Sequence, residues 1–390
     1  MRLRSRLLPA LTAGTLALAL TACGGSTSGS SPTSSSSSSD TSSSDTSSSD
    51  TSSSAMSPSD MSSSAMSPSD MSSSAMSSAM TDSSAMSSGD SSGASSEMMS
   101  SSPSAPASSA AADIKPSGQV IQVAASINAW GSILEQLGGD AVKSKSIITN
   151  PDTDPHDYEP TPADARVIDG SQLFVENGIG YDSWAAKTLA ASPDDKRQVI
   201  DVGKLVGIPD GGNPHRWYSP DDVEKVADAI TADLKKLDPT DSAYFDAQRT
   251  KFENVGLAKY HAAIKNIKAT YGGTPVGASE SIFAPLSDAL GLKLLTPPSF
   301  LKAISEGTDP SPADKAMIDD QIKNKKIKVY VFNSQNSTPD VAAQVKAAKA
   351  GGIPVSEVTE TLSPATATFE QWQVAQLDSL ASALKQATGK

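Results

Sequence analysis

The 390-residue chain has three histidines, and two of them share one local form, Pro-His-x-aromatic: His156 in PHDY and His215 in PHRW. His156 follows the strand-like SIITN. His215 sits in the loop GGNPHRWYSP, just before an amphipathic helix. Proline restrains the chain before each ring, so the imidazole is offered at a set angle. A neutral imidazole so placed is a common ligand for a divalent transition metal, although either histidine alone reads equally well as a surface residue. Two acids stand where they could complete such a site. Glu280 closes the strand TPVGASE and Glu360 closes IPVSEVTE. Singly, each could be an ordinary acid at a helix start. With the histidines they make a set of two imidazoles and two carboxylates, and the carboxylates would neutralise a divalent ion in a partly desolvated site. His261 is of another kind. It falls at helical spacing with Leu257, Tyr260, Ile264 and Ile267 and reads as a helix-face residue.

Positioning four distant side chains needs a scaffold, and the pattern from residue 117 onward alternates strand and helix. QVIQVAAS, VKSKSIITN, SQLFVENG and RQVIDVGK read as strands, separated by helices. One is TPADARVIDG, with Thr161 as its N-cap. Residues 241–271 then hold helical periodicity over about 45 Å at 1.5 Å per residue. The alternation resumes with TPVGASES, an extended LKLLTPPS, KIKVYVFNS and IPVSEVTE. The expected class is α/β: two parallel-sheet (βα) lobes joined by one long rigid helix. The lobes are 117–238 and 272–390, and the linking helix is 239–271. In such sheets ligands bind beyond the carboxyl ends of the strands, which places the four residues in a cleft between the lobes.

The beginning of the chain is of a different character. Residues 1–23 combine arginines, an apolar run and the exit Leu20-Thr21-Ala22-Cys23, an export signal too short to span a membrane. The exit resembles the bacterial lipobox, which implies cleavage before Cys23 and lipid on its sulfur. Cys23 is the sole cysteine, so no intramolecular disulfide supports the fold. Residues 24–116 are nearly half serine, with near-copies of SSSAMSPSDM and no aromatic residue. They cannot bury enough surface to fold and read as a disordered tether, with a reach of roughly 50 Å. The net charge of −13 argues against nucleic acid and against a patch for anionic membranes.

The globule resembles the metal-binding (manganese/zinc-type) solute-binding lipoproteins of bacterial ABC importers, the cluster A-I family. DPHDYEPTPAD, NPHRWYSP, SESIF, ISEGTDPSP and the ETL after the last strand carry the resemblance. It implies an extracytoplasmic, lipid-anchored, monomeric protein that delivers its ion to an ABC permease and its ATPase. It implies metal ligation by His156, His215, Glu280 and Glu360. Glutamate at the third position is the manganese-type choice. The fourth is usually aspartate, so Glu360 departs from the pattern, and Glu357 is a second candidate. Carboxylate ligands, together with the lack of an acidic histidine-rich loop, favour Mn2+; the general affinity series favours Zn2+. Three rivals remain open: a zinc-dependent hydrolase, although no H-E-x-x-H occurs; a wall-tethered adhesin or scaffold; and a binder of organic solutes, for which an aromatic content of 5% is low.

Overall fold

The computed structural model describes residues 114–151 and 155–390. The export signal, Cys23 and the tether through residue 113 lie outside the described residues. The first lobe holds β1 (Ile121–Ile127), β2 (Val142–Ile148), β3 (Leu173–Glu176) and β4 (Gln198–Asp201). They form a wholly parallel sheet in the order β2-β1-β3-β4. The second lobe repeats the plan with β5 (Pro275–Ala278), β6 (Lys293–Leu294), β7 (Val329–Asn333) and β8 (Val355–Val358). Its order is β6-β5-β7-β8, again all parallel. The central strands are largely apolar and buried, as a sheet covered on both faces requires; all four residues of β3 are buried. In both lobes the strand order reverses beside the first strand, and the resulting crevice is where α/β sheets bind ligands.

The helix expected at TPADARVIDG runs Pro162–Asp169. Thr161 caps it and Asp164 reciprocates in a capping box. The stretch LKLLTPPS is only partly extended: after β6 the chain enters a helix, Pro298–Ser305. Pro298 takes the first helical position, where its missing N–H is no loss, so the proline pair starts an element instead of excluding one.

The linking helix departs from a regular rod. It consists of Ser242–Lys251, a π turn at Phe252–Gly256, and Ala258–Tyr271. The Leu257 amide bonds the Phe252 carbonyl at 2.8 Å, five residues back. Phe252, Leu257 and Tyr260 are all buried. An apolar step of five between Phe252 and Leu257 fits no regular α-helix, and one extra residue in the turn lets both face inward.

Both lobes and the linking helix share one core. Trp130, Trp217, Tyr218, Trp372, Phe369 and Tyr260 form a chain of edge and tilted ring contacts through it. The closing helix, Phe369–Thr388, carries two of these rings.

Candidate metal centre

Glu280 and Glu360 lie two residues past strand ends, and the two histidines lie in loops beyond β2 and β4, with a short helix, Val202–Val206, between β4 and His215. His156 lies in a short 3-10 turn, Pro155–Asp157, after β2. His215 precedes a similar turn, Arg216–Tyr218, after β4. Glu280 follows β5 by two residues in extended backbone (φ −156°, ψ 167°), past the last ladder bond, Ser279 N–H to Val331 O at 2.9 Å. Glu360 follows β8 by two residues. The structure brings all four together: one donor atom from each lies within 4.8 Å of every other. Of the two acids left open at the fourth position, Glu360 enters the cluster, while Glu357 is exposed on β8.

Four of the donor spacings are close to equal. His156 Nε2 is 3.4 Å from His215 Nε2 and 3.5 Å from Glu360 Oε1. His215 Nε2 is 3.5 Å from Glu280 Oε1 and 3.6 Å from Glu360 Oε2. A tetrahedral ion with bonds of about 2.0–2.2 Å separates its donors by roughly 3.3–3.6 Å, so one small ion can bridge this set. Glu360 turns one oxygen toward each histidine, the arrangement of a chelating carboxylate. The side chains of His215, Glu280 and Glu360 are 0% exposed, whereas that of His156 is 20% exposed. His156 and Tyr181 also line a cavity of about 680 Å³ whose other walls include Asn213, Ser281, Leu301 and Lys302. The site is therefore open from the His156 side.

A second layer of side chains orients the donors. Asn213 Nδ2 donates to Ser281 O at 2.7 Å, which turns its Oδ1 toward His215. That oxygen lies 2.9 Å from His215 Nδ1, placing the ring proton on Nδ1 and leaving the Nε2 lone pair facing the cluster. Ser281 Oγ is 3.3 Å from the same Nδ1 and donates to Ser305 Oγ at 3.0 Å. Asn333, the last residue of β7, donates to Glu280 Oε2 at 2.9 Å and Glu360 Oε1 at 3.0 Å. Tyr181 O–H donates to Glu360 Oε2 at 2.8 Å. Trp130 Nε1–H bonds Asn177 Oδ1 at 3.0 Å, and Asn177 Nδ2 bonds Pro214 O at 3.0 Å, steadying the loop that carries His215.

Burial pushes His215 below its ordinary pKa, which favours the neutral ring a metal requires. Burial works to raise Glu360, but the nearness of His156 and His215 and the hydrogen bond from Tyr181 prevail and bring it down to about 2. An ionised carboxylate is thereby kept at a position closed to water.

Asn177, Tyr181 and Asn333 were not among the residues singled out in the sequence. Asn177 and Asn333 carry the same strand-end signal as Glu280 and Glu360, and that signal could have found them. His261 lies on the linking helix, as its spacing implies, outside this cluster.

Comparison with known proteins places this architecture. The chain is 30% identical over 112 residues to the manganese-binding lipoprotein MntA of Halalkalibacterium halodurans, covering 27% of this chain and 36% of that protein. It is 24% identical over 204 residues to the high-affinity zinc uptake system protein ZnuA of Bacillus subtilis, covering 46% and 60%. The matches thus span less than two thirds of either relative. These names are those of binding and uptake proteins, not of enzymes. A solved structure of the SBP FpvC from Pseudomonas aeruginosa in complex with Mn2+ shares the fold, with a TM-score of 0.56 and 20% identity over 68% of this chain and 99% of that one. A crystal structure of ZnuA does likewise, with a TM-score of 0.55 and 22% identity over 68% and 99%. The model of the family "Zinc-uptake complex component A periplasmic" matches residues 123–383, well over half of the chain, and the protein belongs to that family.

Proposed function

We propose that this protein is the extracytoplasmic solute-binding component of an ABC importer, capturing one divalent transition metal ion between its lobes and passing it to a membrane permease driven by an ATPase. The ion is cargo. Its ligands are His156 and His215 from the first lobe and Glu280 and Glu360 from the second. The observation that carries the reading is the convergence of these four donors at the edge lengths of a single coordination sphere. Two carboxylates balance the charge of a divalent ion, and two neutral imidazoles add none. That supports burial of the ion at a place where three of the four side chains have no contact with water. The ion enters past His156, the one partly exposed ligand.

Mn2+ is the favoured cargo and Zn2+ the runner-up. If Glu360 binds through both oxygens, the sphere holds three oxygens and two nitrogens. Higher coordination with hard oxygen donors suits Mn2+ better than tetrahedral Zn2+. A hydrolase would keep one metal position open for water; four protein side chains on one ion support capture instead.

Native mass spectrometry with competing Mn2+ and Zn2+ tests the reading. One ion per chain at this site is expected, lost in His215→Ala and in Glu280→Ala. Retention of that ion by both variants would exclude the site. Lipid anchoring at Cys23 predicts that Cys23→Ala moves the exported protein from the membrane fraction to the soluble one.

A further inference from the structure

A second group of metal-competent side chains lies away from the cleft. Glu224 comes from the helix Pro220–Leu237 of the first lobe, Glu253 from the π turn, and His261 from the second half of the linking helix. One donor atom of each lies within 4.8 Å of the others. His261 Nε2 is 3.4 Å from Glu224 Oε1, and its Nδ1 is 3.6 Å from Glu253 Oε1. In a continuous α-helix, residues eight apart are about 80° out of phase. The extra residue of the π turn brings Glu253 and His261 onto one face, and π turns recur where a helix carries function.

Arg249 organises the acids from behind. It pairs with Glu224 Oε2 and, at 3.2 Å, with Glu253 Oε2. The other oxygen of each carboxylate is left on the imidazole side. The buried Glu224 Oε1 faces His261 Nε2 at 3.4 Å and Glu253 beside it. The Tyr260 hydroxyl is buried without a hydrogen-bond partner, on a residue that is 0% exposed, and it lies within electrostatic reach of Glu224. A buried oxygen without a partner is costly unless something occupies the site. One ring nitrogen of His261 with one oxygen from each carboxylate, all within 4.8 Å of one another, forms a donor set for a borderline divalent ion such as Zn2+. The three side chains are 28–37% exposed, which leaves solvent access and room for water ligands.

We infer that His261, Glu224 and Glu253 form a second binding site for a divalent transition metal ion, which ties the linking helix to the first lobe across the π turn. It is distinct from the cleft and does not depend on the cargo site. Arg249 is a positioning residue there.

The test uses the full chain with Zn2+ alone as the probe, and counts bound ions by native mass spectrometry. Two equivalents are expected for the unaltered protein. His261→Ala and Glu253→Gln should each leave one. A His215→Ala, Glu280→Ala double variant should keep one equivalent, and Zn2+ should raise its thermal midpoint; adding His261→Ala should abolish both effects. Circular dichroism checks that each variant is folded, and Glu253→Gln serves if His261→Ala is not. A folded His215→Ala, Glu280→Ala double variant that binds no Zn2+, or an equivalent in it that survives both His261→Ala and Glu253→Gln, overturns the inference. Loss of the first equivalent alone would count against the cargo site and not against this one.

Discussion

Asn333 shows how much one uncharged residue can govern. Its single amide donates to both Glu280 and Glu360, so the two carboxylates from β5 and β8 are held as one unit. Asn333→Ala leaves all four donors in place but frees the acids to repel each other. Outer-sphere losses of this kind cost about 10–100-fold in metal affinity. That range is expected here, read by competition against a chromophoric chelator; unchanged affinity would show that the amide has no such role. Protons should compete as well. Coordination needs both rings neutral, so every proton on an imidazole opposes the ion. Because burial already depresses the His215 pKa, its ring resists protonation, but affinity should still fall as pH drops through and below the ordinary histidine range. Titrations at pH 7.5 and pH 5 should therefore differ, with weaker binding at pH 5. Equal retention at both would rule out a two-histidine site.

At the scale of elements, strand ends carry the chemistry and some of its cost. β3 ends in the buried Glu176, whose Oε2 receives no hydrogen bond among the described residues. Burial, with Asp182 and Asp201 nearby, raises its carboxyl from an ordinary 4.5 to about 7. A carboxyl whose folded pKa exceeds its unfolded value favours the fold fully below the unfolded value, and that contribution is lost as pH rises through the folded one. Ionised Glu176 therefore burdens the fold above pH 7. Glu176→Gln should stabilise the protein by on the order of 1–3 kcal/mol more at pH 8 than at pH 4.5, measured by urea unfolding at both values. An equal effect at the two pH values would mean that the carboxyl is not linked to folding through its proton. The loop beyond β3 carries Asn177 and Tyr181, so this strand end supports the cleft while holding a strained charge beneath it.

For the whole molecule, the shared core decides how the lobes can move. Trp217 and Trp372 are buried in a continuous cluster that includes residues of both lobes and of the linking helix. Opening the lobes widely would expose those rings at about 25 cal/mol per Å², a larger penalty than loop adjustment. Metal binding should thus shift loops near residues 155–158, 177–182 and 211–216 without a domain-scale swing. Small-angle scattering of loaded and metal-free protein should superimpose, with exchange protection gained mainly in those loops. A clear change in radius of gyration would contradict a shared core that acts as a brace.

The amino-acid sequence by itself determined the alternation of elements, the two parallel-sheet lobes and the four candidate donors. Each of these rests on a local signal: periodicity, a proline beside a histidine, an acid at a strand end. The same local logic left Glu357 and Glu360 both open, since the two acids lie three residues apart at the end of one strand. Only the tertiary structure separated them, because pointing into a cleft depends on where the opposite lobe stands. It also decided the π turn, where burial of Phe252 and Leu257 on one side of the linking helix overrode regular helical spacing. Asn177, Tyr181 and Asn333 gained their roles the same way. A polar side chain shows its type in the sequence, but its partners come from segments 27 to 179 residues away, and only folding brings those segments together.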